Sequence, residues 1–266
     1  MHPLAPGRPA PGPLQGVGVL VTRPARQAAG LVAQLAALGA SPVVFPAIVI
    51  LPPVDRTLLD RVHATLDRYH IAIFVSANAV EFGAPAPQSW PPQLRTFAPG
   101  PGTAAALAAA GMRDVTIPAT SFDSEGLLML PALNEVAGLR IAIFRGESGR
   151  EVLGDTLRAR GAIVEYVDCY RRAAPRSGAD GLVAALQSGR VHALTLTSSE
   201  GLENLEKLLD AKAWRLLQRL PAFVPHARIA ERARYLGFHA IVTEGADAGL
   251  IAGLLEWFTS HPLQRQ

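Results

Sequence analysis

Short apolar runs alternate with longer stretches in which apolar residues recur every three or four positions, and this alternation dominates the chain. Ile141-Ala142-Ile143-Phe144 is too short for a helix and suits a buried strand. After Arg145, a turn bearing Gly146 and Gly149 leads into a stretch with Leu153 and Leu157 on one face, the spacing of a helix. Gly161 stops that helix, and a second apolar segment runs from Ile163 to Tyr170. The segment from Arg140 to Arg172 therefore predicts a βαβ unit. Its strand-to-helix turn offers an arginine and free backbone N–H groups, a natural seat for an anion.

The same unit occurs earlier. Arg23 lies 122 residues before Arg145, and Gly39-Ala40 lies 122 before Gly161-Ala162, with no gap. Leu31 and Leu35 map by that offset onto Leu153 and Leu157, and the block from His70 to Ser76 maps onto His192 to Ser198. A third pair, Phe97…Pro99…Gly111 and Phe223…Pro225…Gly237, matches at an offset of 126. Three matched blocks in one order mark an internal duplication.

Taken in order, Phe45 to Asp55 is apolar but carries Pro46, Pro52 and Pro53, so it reads as an extended connector, with Glu165 to Ala173 as its counterpart. Two such connectors suggest a hinge between lobes. The periodicity then predicts a helix over Asp55–Arg68, a strand over Ile71–Val75, and a short helix capped by Ser76. A Pro-rich loop (Ala84–Pro92) precedes a strand at Arg95–Ala98, a helix ending at Gly111, a strand at Val115–Ile117 and a helix over Ser124–Val136. Later helices are expected over Gly181–Ser188, Ser198–Leu209, Trp214–Leu220, His226–Leu236 and Ala248–Phe258. Strands are expected at Ala193–Leu196, Ala222–Val224 and Ala240–Val242. Alternating strands and helices imply an α/β protein with a parallel, flavodoxin- or Rossmann-like sheet in each of two lobes.

Composition changes this picture little. A chain of 266 residues suits two ordinary domains. The pI of 9.4 overstates a formal charge of only +3, and no block of like charge suggests a nucleic-acid surface. Basic residues are nearly all arginine, with Lys207 and Lys212 the exceptions; arginine forks are the better partners for carboxylates. One cysteine, Cys169, offers neither a disulfide nor a metal cluster. Residues 1–13 belong to a Pro/Gly-rich tail expected to be disordered, and neither a membrane span nor an export signal is visible, which points to the cytoplasm.

Ligands of such folds gather at the carboxyl ends of the strands. The candidates there are Arg23, Ser76 and Asn78, Gly100 and Thr103, Arg145, Ser198 and Ser199, and Arg228. The set is rich in hydroxyls, amides and helix starts, and lacks a Ser/His/Asp triad or metal constellation. It suits an anionic ligand held by N–H groups and a few arginines. Helix capping alone would account for Ser76, Ser198 and Thr103, surface ion pairing for Arg23 and Arg145, and packing for Tyr170. His70 and His192 precede strands and read as structural. GESG and PGPGT match neither the dinucleotide nor the P-loop pattern.

Taken together, LVTRP (Leu20–Pro24), PAIVI (Pro46–Ile50), IFVSANAVE (Ile73–Glu81), GPGTAAAL (Gly100–Leu107), the segment Phe144–Arg172 and LTSSEGLENL (Leu196–Leu205) resemble the uroporphyrinogen-III synthase family. The resemblance spans nearly the whole chain after Gln15 and rests on the ordered series rather than on one motif. It implies interleaved lobes: residues 14–46 plus 175–266, and residues 53–168, with 47–52 and 169–174 as a two-stranded ladder joining them. It also implies conversion of hydroxymethylbilane to uroporphyrinogen III, with loss of water and inversion of ring D through a spiro intermediate in haem biosynthesis. No metal or organic cofactor, no nucleic acid, no membrane and a monomeric state complete that expectation. Tyr170 matches the tyrosine proposed to assist departure of the hydroxyl, and Ser76, Thr103 and Ser198 match polar positions of the binding cleft. The larger effect is expected from folding the bilane so that ring D is attacked, with lobe closure excluding water.

One departure stands out: PHARIA (Pro225–Ala230) replaces a Gly-Pro-x-Thr-Ala-like turn, so Ile229 stands where family members often carry a hydroxyl. His226 and Arg228 are candidates to bind carboxylate in its place. The rival reading is a non-catalytic two-lobed binding protein or sensor for an anionic small molecule.

Overall fold

The computed structural model of the chain describes residues 12–263. Residues 1–11 of the expected disordered tail lie outside that span; Leu14, just beyond the tail, is fully buried, and its N–H donates to the carbonyl of Leu38 at 3.0 Å. The chain opens with β1 (Gly18–Val21), α1 (Ala25–Ala37) and β2 (Ser41–Val44). There follow β3 (Val49–Leu51), α2 (Thr57–Ala64), β4 (Ile71–Phe74), α3 (Ala77–Gly83), β5 (Arg95–Phe97), α4 (Pro101–Ala109), β6 (Val115–Thr116) and α5 (Ser124–Leu128). The central unit is β7 (Arg140–Gly146), α6 (Val152–Ala159) and β8 (Ile163–Ala173). The remainder is α7 (Asp180–Gln187), β9 (Ala193–Thr195), α8 (Ser199–Leu208), α9 (Ala211–Gln218), β10 (Ala222–Val224), α10 (Ala227–Tyr235), β11 (Ala240–Val242) and α11 (Ala246–Ser260).

Two compact units result, one of residues 12–49 with 174–263 and one of residues 50–173. The first holds a sheet in the order β11-β10-β9-β1-β2, the second a sheet in the order β3-β8-β7-β4-β5-β6. The ladders of the first sheet are parallel, as are those joining β8, β7, β4, β5 and β6. Apart from β3, the two orders match strand for strand, β1 and β2 standing where β7 and β8 stand. The first βαβ unit thus shares a sheet with strands from the second half of the chain. Adjacency in sequence did not decide that.

Helices on both faces explain the apolar strands. Phe74 of β4 and Phe144 of β7 are fully buried and stack at 4.3 Å between ring centroids. On the opposite face Ile71, Ile73, Ile141 and Ile143 pack with Leu153 and Leu157 of α6. Of the boundaries that differ from the sequence reading, two have a clear local cause. The helix expected over Ser124–Val136 ends at Leu128, because Pro131 lacks an N–H and disfavours helix before it; a 3-10 turn at Pro131–Leu133 takes its place. The helix expected to start at Trp214 starts at Ala211, where the Asp210 carboxylate accepts from the N–H groups of Lys212 and Ala213 at 2.9 and 2.7 Å.

The two duplicated histidines do the same work in each unit. His192 Nδ1 accepts from the Gly18 N–H at 2.8 Å, and His70 Nδ1 accepts from the Arg140 N–H at 3.1 Å. Each satisfies the donor that opens a central strand, which requires a ring without a proton on Nδ1. Burial pushes the His192 imidazole below its ordinary value of 6.5. The unfolded chain then binds that proton at a higher pH than the folded chain does, so this contribution to stability is complete above about pH 6.5 and lost as pH falls below it. Urea midpoints measured from pH 7.5 to 5 should fall with pH. His192→Leu should be less stable at pH 7.5 by about 1–3 kcal/mol, the cost of an unpaired buried N–H, and should show a flatter pH profile.

Candidate active site

An open parallel sheet binds its ligands beyond the carboxyl ends of the strands, where neighbouring connections leave in opposite directions. In the unit of residues 50–173 this point lies between β4 and β7. The chain leaves β4 through Val75 into Ser76, whose extended backbone and Oγ, accepting from the Ala79 N–H at 3.1 Å, cap α3. From β7 the chain presents Arg145 and Gly146.

Tyr170 reaches the same place through a β-bulge. Arg145 pairs with Asp168 in the β7–β8 register, but Gly146 pairs with Tyr170 rather than Cys169. The extra residue turns Tyr170 off the face it would share with Tyr166 and Asp168 and onto the face of Phe74, Phe144 and Cys169. There it is buried, 5% exposed, with its Oη 3.3 Å from Ser76 Oγ. Gly146 makes room: a Cβ there would lie 2.9 Å from ring atoms of Tyr170.

A cavity of about 250 Å³ opens at this point, lined by Ser76, Ser124, Arg145, Gly146, Ser148, Gly149, Arg150, Tyr166, Tyr170 and Arg172, with Val75, Ile143 and Leu153. The Arg145 guanidinium lies 3.8 Å from the Tyr166 ring centroid, its Nε donates to Asp168 at 3.1 Å, and its buried Nη1 has no partner among the described residues. Arg150 forms a two-pronged pair with Glu125 at 2.6 and 2.7 Å, and its hydrogen bond holds that exposed carboxyl below the usual range. The cavity offers donors and cations, suited to a carboxylate.

The structure thus brings together Ser76, Arg145 and Tyr170 among the residues singled out by sequence. Asn78 is half-buried in α3, Gly100 precedes α4 with Phe122 3.0 Å from where its Cβ would stand, and Thr103 is buried in the first turn of α4. None of these three lines the cavity.

In the other unit the equivalent point lies between β1 and β9. Arg23 is ion-paired with Asp247 of α11 and lines a pocket of about 330 Å³ with Gln27, Thr197, Pro225, His226 and Ala246. Ser198 caps α8, accepting from the Gly201 N–H at 3.3 Å, and Ser199 is the first residue of that helix. Arg228 is exposed on α10, whereas Ile229 is 5% exposed and belongs to the core. Ile229 occupies the helix position that Thr103 occupies in α4, so the hydroxyl is replaced by core packing.

Sequence reasoning missed Tyr166, Asp168 and Asp247. For the first two a signal exists, since the 122-residue offset places Val44 and Pro46 opposite them, so both are changes between the copies. Asp247, 224 residues from Arg23, carries none.

Cys169 is fully buried, and burial pushes its thiol up to about 12, which leaves no nucleophilic thiolate near neutrality. A thiol-reactive dye at pH 8 should label it only after denaturant is added; immediate labelling of native protein would contradict this burial. Gly146→Ala should push Tyr170 out of place and lower the melting temperature; an unchanged melting temperature would contradict the close approach of the ring to Gly146.

A model of the family described as HEM4, uroporphyrinogen-III synthase HemD, matches residues 29–251. The chain is 38% identical over 242 residues to the uroporphyrinogen-III synthase of Salmonella typhimurium, covering 87% of this chain and 96% of that one. It is 36% identical over 241 residues to that of Escherichia coli, covering 87% and 96%. The fold is similar to uroporphyrinogen-III synthetase from Helicobacter pylori (TM-score 0.58, 11% identity, 91% of this chain and 99% of that one). It is likewise similar to a mutant synthase of Thermus thermophilus (TM-score 0.57, 20% identity, 92% and 99%). With a matching family model over most of its length and two relatives aligned nearly end to end, the chain belongs to the uroporphyrinogen-III synthase family.

Proposed function

We propose that the chain converts hydroxymethylbilane to uroporphyrinogen III as a cyclising hydro-lyase, with Tyr170 assisting loss of the hydroxyl. Family membership supports the uroporphyrinogen-III synthase activity, an enzyme of tetrapyrrole biosynthesis, and nothing favours a non-catalytic binding protein. The single observation that carries the residue assignment is the meeting of Tyr170, Ser76 and Arg145 around one cavity beyond β4 and β7.

In this reading the Tyr170 hydroxyl gives its proton to the departing oxygen, so that water leaves and an azafulvene cation remains. The substituted carbon of ring D then attacks, giving a spiro intermediate; its bond to the bridge from ring C breaks, that bridge closes on the other α-carbon of ring D, and the proton lost from that carbon returns to the Tyr170 phenolate. A phenol is a weak acid at neutral pH, so its contribution is smaller than that of holding the chain of pyrroles in the reactive conformation. The substrate's carboxylates are assigned to Arg23, Ser76, Asn78, Gly100, Thr103, Arg145, Ser198, Ser199 and Arg228. At Arg23 a substrate carboxylate competes with Asp247. No metal or organic cofactor enters the scheme, and the working state is a cytoplasmic monomer. Among the described residues no helix is long and apolar enough to cross a membrane.

The test is to generate hydroxymethylbilane in situ, add the protein, oxidise and separate the isomers. Type III product is expected; type I alone would end the proposal. Tyr170→Phe should still form type III, at a rate reduced by less than the about hundred-fold that a well-placed general acid contributes. Arg228→Ala should raise KM without altering the melting temperature; an unchanged KM would remove that residue from the site.

A further inference from the structure

The two copies of the βαβ unit hold equivalent arginines in different ways. Arg23 has its guanidinium paired with Asp247. Arg145 pairs with Asp168 through Nε alone and has its guanidinium carbon over the Tyr166 ring at 3.8 Å, while its buried Nη1 stays unpartnered among the described residues. An arginine held so is restrained by its face and one edge, and the rest of its fork is left for a planar anion.

Tyr166 is itself fixed. Its Oη accepts from the Gly154 N–H at 3.1 Å and donates to the Glu151 carbonyl at 2.9 Å, both at the start of α6. A Cβ on Gly154 would stand 2.2 Å from that oxygen, so the glycine is a condition of the anchor. In the other copy Val44 and Val32 occupy the positions of Tyr166 and Gly154, and the device is missing as a set. Helix propensity alone would favour another residue at position 154, within α6.

We infer that Tyr166 is a positioning residue: anchored by Gly154 and Glu151, it holds the Arg145 guanidinium in place to receive a carboxylate of the substrate. This rests on the proposed synthase reading and adds to it the group that presents the arginine. It also makes the two halves unequal, since the unit of residues 50–173 carries the presented arginine.

The experiment is steady-state kinetics on the full chain with hydroxymethylbilane supplied in situ, alongside melting temperatures and isomer ratios. Tyr166→Leu should raise KM about ten-fold with kcat within about two-fold, since lost uniform binding appears in KM. Tyr166→Phe keeps the ring over the guanidinium but loses both bonds that anchor it, and should raise KM by about three-fold, less than Tyr166→Leu does. Gly154→Ala reaches the same stack from α6 and should raise KM as Tyr166→Leu does; it carries the test if Tyr166→Leu does not fold. Arg145→Gln should raise KM at least as much, and adding Tyr166→Leu to it should change nothing further. An unchanged KM in both Tyr166→Leu and Gly154→Ala, or effects additive with Arg145→Gln, would overturn the inference. So would an unchanged KM in Arg145→Gln. Failure of the synthase reading would show separately, as type I product from the parent chain.

Discussion

Burial of β4 and β7 on both faces is the constraint from which the site follows. Their register runs from Ile71 against Ile141 to Phe74 against Phe144, and the stacked phenylalanines at its end lock it. Such a pair contributes about 0.5–1.5 kcal/mol beyond the area it buries, and a slip would also misplace the isoleucines opposite α6. Once the register is set, Ser76 and Arg145 must emerge side by side. Chemistry at the strand ends inherits its geometry from packing a few ångströms below.

The bulge in β8 adds what a regular ladder cannot. Tyr166 and Asp168 lie on one face with Arg145, and alternation alone would send Tyr170 there too. One extra residue, Cys169, places Tyr170 beside Ser76 instead, where Gly146 leaves space for the ring. The bulged residue is a buried neutral thiol, small enough to sit beneath α3, where Gly83 has room for nothing larger than hydrogen.

Comparison of the two units separates core from chemistry. The leucines of α1 and α6, the turn glycines and the histidines that satisfy the opening N–H groups are kept between copies, because each fills the same steric or hydrogen-bonding need. Differences between the copies include Thr103 against Ile229 in the first helical turns, and Asp168 against Pro46 and Tyr170 against Ile48 along β8. Ion pairs follow the same division. The Arg150–Glu125 pair is exposed and adds little to stability, whereas the Arg145–Asp168 contact joins a half-enclosed guanidinium to the cavity wall.

Local pattern determined a great deal of this protein. Apolar runs bounded by glycine and proline marked the strands, Ser76 and Ser198 announced helix starts, and the 122-residue offset disclosed the duplication. These features are legible because they depend on neighbours within a turn or two of backbone, or on direct repetition. The local pattern left open which copies share a sheet, for which only the family resemblance offered a guide; the tertiary structure alone decided that the bulge swings Tyr170 to Ser76, and that Asp247 pairs with Arg23 while Tyr166 presents Arg145. Each of these joins residues far apart in the chain, and such pairings are selected by the shape of the packed core, which no short window of sequence contains.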